Sequence, residues 1–205
     1  MRGASDGYLE TALTAIEQQT IKLDQLVTRI LDSAQIEAGH LRIDPIPTDL
    51  VALVRSTLGQ FSCHERHTIV LDAPARLEAV VDPLRFEQVV VNLIGNAIKF
   101  SPGGGTVEVA IRRGEREARL TVTDCGLGIP PDERERVFDR FYRAHVQHHL
   151  SGLGLGLFVT REIVQLHGGS IRVEATDAPG ARFVVTLPLD SRPASIAGAA
   201  RVSSR

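Results

Sequence analysis

DPLRFEQVVVNLIGNAIKFS, residues 82–101, is the stretch from which the rest of the chain can be read. It predicts a helix with a defined start. Asp82 is a residue type that caps an N-terminus, and Pro83 at the first helical position forfeits no hydrogen bond. Phe86, Val90, Leu93, Ala97 and Phe100 recur at steps of four and three and make one apolar stripe. Arg85, Gln88, Asn92, Asn96 and Lys99 make a second stripe on another face. Asparagine is a weak helix former because its amide competes for backbone hydrogen bonds. Two asparagines one turn apart, followed by a lysine, leave two readings open. One is an ordinary solvated face. The other is a pair of amide oxygens that hold a hard cation beside an ammonium that holds phosphate.

Composition narrows the class of protein. A chain of 205 residues has room for one domain and an appendage. A hydrophobic content of 43% is that of a globular protein, and with 4% aromatics and no Trp the core must be aliphatic. A net charge of −2 with no basic block argues against a nucleic-acid partner and against a polybasic membrane contact. Cys63 and Cys125 form neither a spaced framework nor a CxxC motif, which predicts free thiols in a reducing compartment. No apolar run approaches the ~20 residues of a membrane span, and MRGASDGYLE lacks the apolar region of a signal peptide. The expected location is cytoplasmic, with any membrane sensor lying outside this chain.

Three regions follow from the pattern along the chain. Residues 1–40 hold a long helix, Asp6 to Ala38, in which Leu9, Ile16, Leu23 and Ile30 fall seven apart and Leu13, Thr20, Val27 and Ala34 keep the same period beside them. At 1.5 Å per residue it is roughly 50 Å long. Its stripe needs a partner: another helix, a second chain or the domain that follows. Residues 41–190 read as a compact domain. Pro45 and Pro47 break a brief alternation, and Asp49 caps a helix from Leu50 to about Phe61. Thr68–Leu71 and Glu78–Val81 are short strands, and TVEVAIR (106–112) with ARLTVTD (118–124) predicts an antiparallel hairpin. Residues 125–151 form a long Gly-, Pro- and charge-rich connection with one short helix near Pro131–Phe138, the profile of a functional lid. A helix from Gly152 to His167 and strands at Ser170–Glu174 and Ala181–Leu187 complete it. Residues 191–205 are Ala-, Ser- and Arg-rich without period and are expected to be a disordered tail. The expected architecture is α+β, a mixed sheet with helices on one face, preceded by one long helix.

Three further segments bear on chemistry. Asp124-Cys125-Gly126-Leu127-Gly128-Ile129 follows a strand directly. Its glycines let backbone approach a flat ligand, and its carboxylate can accept hydrogen bonds from an exocyclic amine; a tight turn would also explain the glycines. Gly152-Leu153-Gly154-Leu155-Gly156-Leu157 opens a helix, where bare N–H groups and the helix dipole can cradle phosphate. The spacing is neither a Rossmann fingerprint nor a Walker loop, and a flexible hinge is the competing reading. In Phe138-Asp139-Arg140-Phe141-Tyr142-Arg143, two phenylalanines three apart could anchor the lid in the core, and Arg140 or Arg143 could reach phosphate.

Together these segments resemble the ATP-binding domain of sensor histidine kinases, of the Bergerat fold. Its superfamily also includes type II topoisomerases, the ninety-kilodalton heat-shock chaperones and the MutL mismatch-repair proteins. NLIGNAIKFSP from Asn92 is similar to the N box of that family, DCGLGI at 124–129 to the first glycine box, FDRFYR at 138–143 to the F box and GLGLGL at 152–157 to the second glycine box. His167-Gly168-Gly169-Ser170, Gly180 and FVVTLP at 183–188 match the closing segment.

The resemblance implies ATP and Mg²⁺ as ligands. Asn96 would ligate the metal through its amide oxygen, with Asn92 assisting the metal or its waters. Lys99 and Arg143 would neutralise the phosphates, Asp124 would recognise the adenine amine and Ile129 would lie against the ring. Gly126 and Gly128 belong to the adenine loop, and Gly152, Gly154 and Gly156 would form the lid hinge and phosphate cradle. The reaction implied is transfer of the γ-phosphoryl group to a histidine, with a response regulator downstream and pairing, as a homodimer or with another kinase chain, through the long helix.

The family's acceptor histidine sits in a His-Glu/Asp-Leu-Arg-Thr-Pro setting on the first helix of a hairpin, and these 205 residues contain no such segment. The long helix, ending DSAQIEAGHL, resembles the second helix of that hairpin. His64-Glu65-Arg66-His67 only echoes the acceptor pattern. His145, His148 and His149 lack acidic or cysteine partners for zinc. His40 and His167 cap helix ends, where an imidazolium would suit the dipole. The expectation is therefore a fragment or shortened kinase that binds ATP–Mg²⁺ and does not phosphorylate itself. Alternatives are an ATP-responsive regulatory fragment that pairs with a full-length kinase, and an anti-sigma-type serine kinase.

Overall fold

The computed structural model describes residues 3–61, 66–144, 153–176 and 179–189. Two compact units divide at residue 41. The first is helix α1, Gly3–Glu37. It ends as its sequence predicts. Gly39 adopts a φ of 67°, its N–H donates to the Ile36 carbonyl at 2.9 Å, and the His40 N–H reaches back to Gln35 at 2.8 Å. This paired closure is the Schellman ending, and glycine is the residue that reaches the left-handed position without strain. Along α1 the side chains of Leu13, Ile16, Leu23, Val27, Ile30 and Leu31 are exposed. The side chain of Leu9 and the segments 62–65, 145–152, 177–178 and 190–205 lie outside the described residues, and with them Cys63, His64, the lid histidines, Gly152 and the expected tail.

The second unit begins with a strand that the prolines disguise. Strand β1, Ile46–Asp49, pairs antiparallel with β3, Glu78–Val81, in the register Ile46↔Val81 to Asp49↔Glu78. Pro47 is tolerated because β1 has a single partner, so one of its edges requires no donor. Asp49 then caps α2, Leu50–Gly59, its Oδ1 accepting from the N–H of Val51 at 3.0 Å and of Leu77 at 3.3 Å.

The main sheet has five strands in the order β2-β4-β5-β7-β6. Strand β2, His67–Asp72, runs parallel to β4, Gly105–Arg113. Parallel neighbours need a long crossover, and α3, Pro83–Lys99, supplies it, which lays this helix across the sheet. The β4–β5 hairpin, with β5 at Glu117–Thr123, forms as expected, and β7, Arg182–Pro188, inserts between β5 and β6, Ser170–Glu174. Period-two alternation places Val107, Val109 and Ile111 of β4 and Ala118, Leu120 and Val122 of β5 in the core, while Glu108, Arg112 and Arg119 face solvent. Helix α3 covers β4 and β5, and α4, Gly156–Leu166, covers β6 and β7. Phe86, Val89, Val90, Leu93 and Ile94 of α3 meet this layer fully buried, each contributing on the order of 1.5–3 kcal/mol.

Two local expectations change. The segment near 131–138 forms two single 3₁₀ turns, Pro131–Glu133 and Arg136–Phe138, rather than one helix. Helix α4 starts at Gly156, not Gly152, because Gly154 takes a φ of 69°, which ends any helical path ahead of it.

Candidate nucleotide site

Asp82 fixes the entry of α3. Its Oδ1 accepts from the N–H groups of Leu84 at 3.0 Å and Arg85 at 3.1 Å, and its Oδ2 accepts from the Asp44 N–H at 2.9 Å. The polar stripe then divides by partner. Arg85 Nη1 donates to Gln88 Oε1 at 3.1 Å, partly buried along the helix. Asn92 turns inward, 7% exposed, and its Nδ2 donates to Thr160 Oγ1 of α4 at 2.9 Å. Asn96, one turn on, is half-buried. Lys99 in the last turn lies 4.6 Å from the centroid of the Phe100 ring.

The first glycine loop closes against the end of α3. The Leu127 N–H donates to the Phe100 carbonyl at 3.0 Å. A Cβ on residue 126 would sit 2.1 Å from that carbonyl oxygen, so only glycine fits there. Asp124 stands at the end of β5, 5% exposed. Its Oδ1 accepts from the N–H of Gly126 at 2.9 Å and of Ala181 at 3.1 Å. Burial pushes this carboxyl above the usual carboxylate range, with the two backbone donors pulling the other way. Because both bonds go to Oδ1, Oδ2 is the oxygen available for a donor on a ligand. Ile129, half-buried, lies on the same loop beyond Gly128, whose φ is 72°.

The F box is anchored by one phenylalanine, not two. Phe138 is buried and meets Phe183 edge-on, with ring centroids 6.3 Å apart. Phe141 is 58% exposed. Its φ of 63° turns the side chain outward, its N–H donates to the Gly154 carbonyl at 3.0 Å, and Arg140 lies 4.5 Å from its ring centroid. The F box is thereby joined to the second glycine box through backbone. Arg143 is exposed.

The second glycine box reaches the N box directly. A Cβ on Gly156 would lie 2.3 Å from Asn92 Oδ1, so the first residue of α4 sits against that amide. The structure thus gathers Asn92, Gly156 and Thr160 at one point and sets Asp124, Gly126 and the end of α3 at another. An amide oxygen is a hard donor of the kind magnesium takes, and the Asn92 oxygen lies against the start of α4, so the residues present are compatible with such an ion.

Thr160 escapes a reading by motif, and His167, read above as part of the closing segment and as a cap, has a different role. Both fall on the apolar stripe of α4 with Ile163 and Val164, and a polar residue on such a stripe is the available signal. His167 is not an imidazolium cap. It is 3% exposed; its Nδ1–H donates to the Ile163 carbonyl at 2.8 Å and its Nε2 accepts from the Asp82 N–H at 2.9 Å. Burial pushes its pKa below the ordinary histidine value.

Residues 81–191 match the family described as histidine kinase-, DNA gyrase B-, and HSP90-like ATPases. The chain belongs to this family. Among relatives of this ATPase domain, the adaptive-response sensory kinase SasA of Synechococcus sp. (strain JA-2-3B'a(2-13)) is 35% identical over 91% of this chain and 51% of its own length. The chain thus spans about half the length of that relative. A solved structure of the mycobacterial sensor histidine kinase MprB superposes with a TM-score of 0.63 at 31% identity, covering 71% of this chain and 97% of that one. Full-length ShkA in complex with AMPPNP superposes with a TM-score of 0.75 at 27% identity, covering 90% of this chain and 40% of that one. The ATPase domain of this chain therefore corresponds to the ATP-binding catalytic part of sensor histidine kinases. Among the described residues no helix is long and apolar enough to cross a membrane.

Proposed function

We propose that this chain binds ATP with Mg²⁺ and donates the γ-phosphoryl group to a histidine of a two-component sensor kinase, for relay to a response regulator. The observation that carries this reading is Asp124: a buried carboxylate whose Oδ1 is held by two backbone N–H groups, leaving Oδ2 to accept the exocyclic amine of adenine. Ile129, half-buried on the same loop, is the residue for the ring. Asn96 is the amide for the metal, and Asn92, already engaged by Thr160, assists from the second position. Lys99 and Arg143 neutralise the phosphates, and Gly152, Gly154 and Gly156 provide hinge and cradle. Magnesium, when bound, would neutralise charge on the phosphates. What the protein contributes is position: it orients the nucleotide and aligns the phosphate with the incoming imidazole.

Binding of a non-hydrolysable ATP analogue, titrated with and without Mg²⁺, tests the first half. Asn96→Ala is expected to abolish the magnesium-dependent component while the thermal midpoint is kept; unchanged affinity removes the metal assignment. For the second half, the chain is mixed with a kinase that has an acceptor histidine and a disabled ATP site. Restored acid-labile phosphate on that partner supports the transferase. Inhibition supports instead a regulatory fragment that pairs through α1. Acid-labile phosphohistidine appearing on this chain by itself counts against the expected division of labour.

A further inference from the structure

The bond between Asn92 and Thr160 joins helices whose sequences are 68 residues apart, and both side chains are more than nine-tenths buried. A primary amide has two donors on one side and an acceptor on the other, and swapping them reverses what the group offers. With Nδ2 given to Thr160 Oγ1, the Asn92 oxygen is the end left against Gly156, where α4 begins. Three things therefore meet on one amide: the first asparagine of the metal face, the start of the phosphate-cradling helix and a hydroxyl with no other assigned task. We propose that Thr160 is a positioning residue: it fixes the orientation of the Asn92 amide and so sets the affinity of the site for its divalent cation.

The inference rests on the nucleotide reading above. Residues that orient the groups around a metal change its affinity by about 10–100-fold when removed, without touching the ion themselves. Thr160→Val keeps the shape of the side chain and deletes the hydroxyl; Thr160→Ser keeps the hydroxyl and deletes a methyl. A hydrogen bond that merely fastens α3 to α4 would lower stability in Thr160→Val and leave the cation requirement alone. A positioning bond moves the cation requirement.

The test uses the full chain and a non-hydrolysable ATP analogue, with binding followed by calorimetry as Mg²⁺ is raised. Thr160→Val is expected to need about 10–100-fold more Mg²⁺ for half-maximal enhancement of nucleotide binding. Magnesium-free nucleotide binding should stay unchanged, and Thr160→Ser should match the parent chain. A Thr160→Val protein that melts earlier but keeps the parent magnesium requirement overturns the proposal, as does a Thr160→Ser protein that behaves like Thr160→Val. If valine prevents folding, Thr160→Cys, close in volume and a weaker acceptor, is held to the same outcomes. A parent chain that binds no nucleotide overturns the nucleotide reading itself and is told apart by that first titration.

Discussion

The backbone N–H of Asp82 donates to Nε2 of His167, 85 residues later in the sequence, at 2.9 Å. The N-cap residue of α3 is thus fastened to the C-cap residue of α4, and the bond requires an imidazole whose Nε2 lone pair can accept. Nδ1 already carries its proton toward the Ile163 carbonyl, so protonating the ring ends the Asp82 bond.

That arrangement predicts acid sensitivity. Burial lowers the folded-state pKa of His167, against weaker opposing effects from its bond to Ile163 and the charge of Asp82. For a group depressed on folding, the stabilisation is complete above the unfolded pKa, about 6.5 for histidine, and is lost as pH falls below it. The thermal midpoint should drop between about pH 7 and pH 5, and His167→Gln should start lower and drop less. Parallel pH profiles for the two proteins would exclude this role.

Asp124 predicts the opposite sign. Its folded-state pKa is raised by burial, so its contribution is fully favourable only below the unfolded pKa of about 3.9 and is lost as pH rises. At neutral pH the buried charge is therefore a burden on the fold. Asp124→Asn keeps an oxygen for Gly126 and Ala181 and removes the charge. Its melting temperature at pH 7 should equal or exceed that of the parent, while analogue affinity falls about 10–100-fold, the loss of a charged hydrogen bond together with the exposure of a wrong donor. A variant that is less stable yet binds normally contradicts both halves.

Gly156→Ala separates helix propensity from function. Alanine is the better helix former by about 1 kcal/mol, but its methyl would lie 2.3 Å from Asn92 Oδ1. The amide must move away. Near-parental stability with a large loss of magnesium-dependent nucleotide binding is expected, and calorimetry on the same sample measures both.

The exposed seam of α1 predicts association. Ile16, Leu23 and Ile30 are 63, 62 and 51% exposed and lie seven residues apart, a spacing that buries a shared stripe when two helices pair. Sedimentation of the chain across a concentration series should reveal reversible self-association that Leu23→Glu weakens. A strictly monomeric parent chain at high concentration refutes it.

Much of this site could be read from residue order because its parts are local. Asp82 and Pro83 mark a helix start wherever they fall, and alternation in TVEVAIR needs no partner to be recognised. Strand β1 could not be read in the same way. Its claim to be a strand rests on β3, more than thirty positions away in the register Thr48↔Ala79, and Pro47 masks it. Phe141 was out of reach for a similar reason: its outward turn depends on the Gly154 carbonyl, which the F box itself does not contain. The polar stripe on α3 was legible as a stripe, but the different surroundings of Arg85 and Asn92 were decided by whether α4 lay opposite. Thr160 belongs to no motif; its place on the apolar stripe of α4 marks it, but what it does becomes visible only when its partner is seen.

The hold of Ala181 on Asp124 also sets an order of assembly. The acceptor is at the end of β5 and the donor 57 residues downstream, past the lid, α4 and β6. A chain emerging from the ribosome displays the N box and the first glycine loop well before the strand that completes the hydrogen bonding of Asp124, the carboxylate proposed to accept the adenine amine. ATP can therefore stabilise only a nearly finished domain. Nascent chains halted before Ala181 should not be retained on immobilised nucleotide, whereas those halted well past Pro188 should, so the ligand would serve as a late check on the whole sheet.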